Sequence, residues 1–141
     1  MISTRGRYAL RVIVDLALHN NGGFTPIKEV AERQEISLKY IERIMPLLSR
    51  GGLVEGIHGK GGGYRLKKDP HDITVGDILR LTEGELAPVA CLAKDAEPCT
   101  RASSCATLGV WSGYYKLTRE YFDGITIASL VSTPDVGEYV I

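Results

Sequence analysis

Apolar residues recur at helical spacing through the first fifty positions of the chain. Ala9, Val12, Ile13, Leu16 and Ala17 fall at i, i+3, i+4, i+7 and i+8, one face of an amphipathic helix that Ser3 or Thr4 can cap and that Asn20-Asn21-Gly22-Gly23 ends. The stretch TPIKEVAERQ predicts a second helix of about two turns, with Thr25 as N-cap, Pro26 in the first helical position and Ile27, Val30 and Ala31 as its stripe. Ser37 then caps a third helix with Ile41, Ile44, Met45 and Leu48 inward, which leaves Lys39, Tyr40, Glu42 and Arg43 to solvent or a ligand. Pro46 sits within this helix and predicts a kink, because it removes a backbone hydrogen bond and strikes the preceding turn. Two short helices joined tightly make a helix-turn-helix.

The pattern then changes period. Gly51-Gly52 stops the helix, LVEGI reads as a strand, and GYRLKK reads as its return, separated by the glycine-rich stretch HGKGGG. Glycines there permit positive φ and a close approach of backbone to another surface, with His58, Lys60 and Arg65 as donors beside it. A helix-turn-helix followed by such a hairpin is a winged helix, whose wing tip lies along phosphates or in a minor groove. A nucleotide phosphate loop is the rival, but the glycines lack the Walker spacing and no Ser or Thr follows Lys60.

Thr74 and Asp77 stand at capping-box spacing before Ile78, Leu79 and Leu81, so a fourth helix is expected, packed under the wing. A long helix from about residue 105 to 123, ended by Gly124, carries two stripes. Leu108, Trp111, Tyr115, Thr118, Phe122 and Ile125 form one; Val110, Tyr114, Leu117 and Tyr121 form the other. One face meets its own domain and the other a partner, and dimerisation through Leu108, Trp111, Tyr115, Thr118 and Phe122 is the expectation. The tail from residue 125 adds one short helix and an apolar end. The fold class is therefore mainly α with a small β-hairpin: a winged helix-turn-helix over 1–84, a cysteine loop over 85–106, and a dimerisation helix with tail over 107–141.

Charge sharpens this picture. The 141-residue chain has a formal net charge of zero, yet residues 1–70 carry 12 Lys+Arg against 7 Asp+Glu, a net of +5, and residues 71–141 carry 5 against 10, a net of −5. The first half is the candidate polyanion binder. Arg5, Arg7, Lys39, Arg43, Lys60 and Arg65 are candidate phosphate partners, with Tyr40 and Glu42 better placed for base contacts. No apolar run is long enough to span a bilayer, and MISTRGRYAL lacks the apolar block of a secretory signal, so the cytoplasm is the expected location.

Cys91, Cys99 and Cys105, the chain's three cysteines, fall within fifteen residues. Zinc sites show a closer pair and four ligands, and disulfide frameworks favour an even count. Three thiolates on one loop suit an iron-sulfur cluster, of two or four irons, whose fourth ligand comes from elsewhere; the long helix's N-terminus favours thiolate at Cys105. A thiol redox switch, another metal and unliganded cysteines are the alternatives. Apart from Asp95 and Glu97, in a loop that also carries charge for solubility, no carboxylate or histidine stands at a telling spacing beside them, and no Ser/His/Asp constellation is visible, so an enzyme is not expected.

The segments STRGRYALRVIVDLAL, AERQEISLKYIE and GLVEGIHGKGGGYRL, with the three-cysteine loop, resemble the IscR/NsrR-type regulators from residue 2 to about 131. These are bacterial winged-helix transcription factors that bind palindromic promoter DNA as homodimers and sense iron-sulfur status, nitric oxide or redox state. The resemblance implies that Ser37, Lys39, Tyr40 and Glu42 face the major groove and that His58 and Gly59 reach the minor groove. It also implies that cluster occupancy controls DNA binding. Two positions depart from the pattern: Leu108 stands where one branch has a cluster-ligating histidine, and Arg7 where another recruits a carboxylate, which leaves the fourth ligand unidentified. A cluster-free regulator controlled by thiol oxidation or by docking a metabolic enzyme is the alternative.

Overall fold

In a computed structural model of the chain, residues 1–132 are described; the apolar end of the tail lies outside them. The order is α1 (Thr4–Leu18), α2 (Ile27–Gln34), α3 (Leu38–Arg50), β1 (Val54–Ile57), β2 (Gly63–Leu66), α4 (Val75–Glu83), α5 (Leu108–Asp123) and α6 (Ile127–Val131). This is the mostly helical fold with one small antiparallel hairpin and a long C-terminal helix that the periodicities predict.

The caps explain most of the helix starts. Ser3 accepts from the Gly6 N–H to begin α1, and Ser37 accepts from the Tyr40 N–H at 3.2 Å to begin α3. Thr74 and Asp77 form a reciprocal capping box at 3.0 and 3.1 Å that starts α4. Ile41, Ile44, Met45 and Leu48 of α3 are buried as their spacing requires. They meet Ala9, Val12, Ile13 and Leu16 of α1 in the core, which Ile78 of α4 and Ile127 of α6 complete. α3 stays helical through Pro46, which is exposed.

Two expectations about local structure change. Thr25 does not cap α2: Pro26 holds that position without a side-chain cap, and Thr25 instead pairs antiparallel with Tyr64 through two 2.8 Å backbone hydrogen bonds. It thereby adds a single bridge to the free side of β2, beside the two-stranded wing sheet. Nor does α4 lie under the wing; it packs chiefly against α1, with α3 and α5 beside it.

The turn between α2 and α3 carries no glycine. Glu35 takes the left-handed conformation at φ 53°, and the Ile36 N–H reaches back to Ala31 O at 3.1 Å while the Ile36 side chain is buried. That is a Schellman-type stop, with the apolar residue after it anchoring the turn.

Among the described residues three polar side chains are buried, Asp15, Thr25 and Thr82, and only the first carries a charge. Asp15 of α1 is fully buried, and its carboxylate accepts a forked pair from Arg33 at 2.8 and 3.1 Å and a third bond from Gln34 at 2.9 Å. Burial pushes the carboxyl toward its neutral form, but the bonds from Arg33 and Gln34 and the Arg33 charge outweigh it and hold the pKa below the ordinary value. Asp15→Ala should cost about 2–3 kcal/mol, read in urea unfolding at fixed protein concentration, since it strips three bonds from two partners that retain some access to water. A depressed carboxyl pKa contributes stability above the unfolded value that is lost as pH falls through the folded one. Wild type should therefore weaken more than Asp15→Asn on acidification below about pH 4.

Candidate nucleic-acid interface

Residues 37–43 supply one wall of the candidate site. Lys39, Glu42 and Arg43 project from α3 opposite its buried stripe and are exposed. Ser37 spends its hydroxyl on the cap. Tyr40 is half-buried, and its ring meets the Tyr8 ring edge-on at 5.3 Å, with Arg11 stacked on the other aromatic of the pair. The Tyr40 ring thus fastens the start of α3 to α1 while its edge stays accessible.

The wing supplies the opposite wall. Val54 pairs with Leu66 and Ile57 with Gly63, so the tip runs from His58 to Gly62, with His58, Gly59 and Lys60 exposed. Gly59 and Gly61 take φ of 90° and 77°, which L side chains rarely adopt. Gly63 is required for a different reason: a Cβ there would stand 2.2 Å from Thr25 O, so only glycine lets the wing close on the Thr25 bridge.

The expected phosphate partners divide. Lys39, Arg43 and Lys60 are exposed cations without an ion pair among the described residues. Arg65 is engaged within the wing, donating to Glu55 across the strands at 2.8 Å and lying 4.4 Å from the Phe24 ring centroid. Arg5 donates to the Thr82 carbonyl and so ties α1 to α4, and Arg7 donates to Thr4 at 3.1 Å. Between α3 and the wing runs a cleft lined by Lys28, Leu38, Glu42, Ile57, His58 and Gly59. Sequence reasoning missed Lys28, Leu38 and Ile57. The available signal was two large aliphatic residues, Leu38 and Ile57, standing off every buried stripe.

α5 sorts its two stripes. Leu108, Tyr115, Thr118 and Phe122 are half-buried toward their own domain, whereas Val110, Tyr114, Leu117 and Tyr121 are 58–68% exposed and Trp111 is 40% exposed. Arg80 of α4 clamps the end of α5 through Asp123 at 2.6 and 2.8 Å. At the middle of α5 the Tyr115 hydroxyl donates to Glu85 at 2.9 Å, and the other Glu85 oxygen accepts the Lys94 N–H at 2.6 Å.

The cysteine loop corrects the cofactor expectation. Cys91, Cys99 and Cys105 are free, exposed thiols, and among the described residues no three His, Cys, Asp or Glu side chains converge into a group able to hold a metal. The residues present do not fit an iron-sulfur cluster, and the metal-ligand roles given to the three cysteines fall with it. Short 3-10 turns at Ala90–Leu92 and Ala102–Ser104 fold the segment back on its own backbone rather than around a common centre. Cys105 does have a distinct environment: hydrogen bonds from the Thr107 hydroxyl, at 3.5 Å, and from the Thr107 and Leu108 amides lower its pKa below that of an ordinary thiol.

Comparison with known proteins places this arrangement. Residues 2–133 match the profile of the Rrf2 family, described as an iron-dependent transcriptional regulator. The HTH-type transcriptional regulator IscR of Yersinia pseudotuberculosis is 34% identical over 137 residues, 97% of this chain and 82% of the relative. Among solved structures, CymR, the global cysteine regulator of B. subtilis, is 36% identical with a TM-score of 0.77, covering 96% of this chain and 98% of the other. The oxidized form of Staphylococcus aureus CymR is 31% identical with a TM-score of 0.74, covering 96% and 98%. With a family profile spanning nearly its whole length, the chain belongs to the Rrf2 family of transcription regulators, whose members are not enzymes.

Proposed function

We propose that the chain regulates transcription as a homodimer on palindromic double-stranded promoter DNA, with α3 in the major groove and the wing tip in the adjacent minor groove. The observation that carries this reading is the shared cleft, which sets Glu42 of α3 and His58-Gly59 of the wing on one face, beside the exposed cations Lys39, Arg43 and Lys60. Lys39, Arg43 and Lys60 meet phosphates, and Tyr40 and Glu42 meet bases; Glu42 accepts from cytosine N4. Arg5, Arg7 and Arg65 act more through the scaffold that aims these groups. The exposed α5 stripe of Val110, Tyr114, Leu117 and Tyr121, with Trp111, is the surface a two-fold partner covers, and such a dimer presents two copies of α3 to successive major grooves. Among the described residues no helix is long and apolar enough to cross a membrane.

Residues 1–84 then bind DNA, 85–106 carry the sensing thiols, and 107–141 pair the protomers. Control passes through thiol oxidation. Support comes from three exposed thiols on one loop, from the thiolate-favouring contacts at Cys105, and from a relative crystallised in an oxidised form. With a peroxide as oxidant, the Cys105 thiolate attacks one peroxide oxygen. The O–O bond breaks, an S–O bond forms, and a sulfenic acid and hydroxide result.

Glu42→Ala should relax discrimination at one base pair of each half-site by about 1–3 kcal/mol while lowering overall affinity less, measured by selection from random duplexes. Unchanged selection would remove Glu42 from the base contacts. At Cys105, alkylation followed by mass spectrometry should rise with pH and reach half its maximal rate at a lower pH than an ordinary thiol. Peroxide should weaken operator binding by wild type but leave Cys105→Ser unaffected; equal loss in both would refute control through this thiol.

A further inference from the structure

Geometry imposes a constraint on any protein that places a helix in the major groove and a wing in the neighbouring minor groove: one sugar-phosphate strand separates the two grooves and must pass between the two elements. The part of the chain between α3 and the wing is the cleft lined by Pro26, Ile27, Lys28, Leu38, Ile57 and Tyr64, bordered by Glu42 on one side and His58-Gly59 on the other. The start of α2 lines it through Pro26, Ile27 and Lys28, next to the Thr25–Tyr64 pairing.

The chemistry of that cleft is unlike the groove-reading surfaces around it. Lys28 is exposed and makes no ion pair among the described residues, so its ammonium is available to an anion. Leu38 and Ile57 face it with 39% and 48% of their surface exposed, although both have buried neighbours on their own elements. A cation set between aliphatic walls matches a repeating unit with one charged and one weakly polar part. A phosphate joined to deoxyribose is such a unit.

We infer that this cleft seats the strand of the operator backbone that divides the two grooves, Lys28 pairing with one of its phosphates and Leu38 and Ile57 packing on the adjoining deoxyriboses. The inference rests on the DNA-binding mode proposed above and adds to it the positioning residues that set the depth of α3 and the wing together. These residues touch no base edge in this arrangement, so they contribute affinity and register without sequence preference.

The experiment uses the full-length chain and an operator it has itself selected from random duplexes. Single neutral methylphosphonate linkages are moved along one half-site, and binding is measured for wild type and Lys28→Gln across a range of salt. Wild type should lose roughly tenfold at one linkage between the base pairs contacted by α3 and those contacted by the wing. Lys28→Gln should already have lost about that much on unmodified DNA, lose no more at that linkage, keep the selected sequence, and show a salt slope shallower by about 0.9 per half-site. Leu38→Ala with Ile57→Ala should weaken binding severalfold with the salt slope retained, in a protein whose unfolding midpoint shows it to be folded.

Lys28→Gln that binds as tightly as wild type with the same slope, or remains as sensitive as wild type at every linkage, overturns the inference and leaves the DNA-binding reading intact. A wild-type chain that selects no sequence overturns both.

Discussion

The fork between Asp15 and Arg33 ties α2 to α1 and so bears on where α3 and the wing can lie. α2 has only eight residues and buries only Val30 and Ala31, too little apolar area to determine its own rotation against α1. A buried carboxylate with three directed bonds has essentially one arrangement, because any slip leaves a charge unpaired in the interior. Arg33 and Gln34 are the last residues of α2, immediately before the Glu35 turn, so the bond that locks α2 also fixes the point from which α3 departs. Arg11 adds a second hold by donating to the Gln34 side chain at 3.1 Å. A rigid start for α3 suits the recognition role proposed for it, since a shift of one ångström at its base is a shift of every side chain that follows it.

The other end of α2 performs the same task for the wing. Thr25 pairs with Tyr64 while Pro26 opens α2, so two consecutive residues link the hairpin to the helix-turn-helix. A two-stranded hairpin alone is marginal in water. The Thr25–Tyr64 bridge, the Glu55–Arg65 pair and the stacking of Arg65 on Phe24 give this one a defined orientation up to its glycine tip. The wing is therefore held at its base and free at its end, which suits the proposed entry into a narrow groove at a fixed distance from α3.

Helical periodicity made α1, α3 and α4 legible because each has a stripe whose spacing only one secondary structure satisfies. The glycine run made the hairpin legible for a similar reason. What stayed hidden depended on tertiary partners. Thr25 has the composition of a cap, and its strand role exists only because Tyr64 comes back to meet it. Asp15 lies on the apolar face of α1, one residue from Leu16, and nothing in the sequence announces that Arg33 reaches it. Glu35 adopts a glycine-like conformation without being glycine, because the buried Ile36 beyond it holds the turn. The cysteines teach the opposite lesson: nearness in sequence sets an upper limit on separation in space and no lower one, and three thiols on a loop with its own backbone turns need not share a centre. The two stripes of α5 were visible, but which of them faces inward was settled by Tyr115 and Phe122 packing toward the domain.

In the proposed mode of control, a thiol on the loop bears on DNA binding only if the loop is mechanically joined to α5, the helix proposed to pair the protomers. Glu85 makes that joint. One of its oxygens accepts from Tyr115 on α5 and the other from the Lys94 amide, three residues beyond Cys91, and these two bonds hold its carboxyl below the ordinary carboxylate range. Cys105 sits at the far end of the same loop, its sulfur bonded to Thr107, the residue that precedes the first turn of α5. An oxygen added at that sulfur replaces a thiolate acceptor with a larger group and alters the hydrogen bonds to the Thr107 and Leu108 amides, while the Arg80–Asp123 clamp keeps the other end of α5 fixed on α4. A helix held at one end and displaced at the other rotates. In the proposed dimer, paired through the exposed α5 stripe, that rotation would change the separation of the two copies of α3, and a palindromic site tolerates little change in that distance.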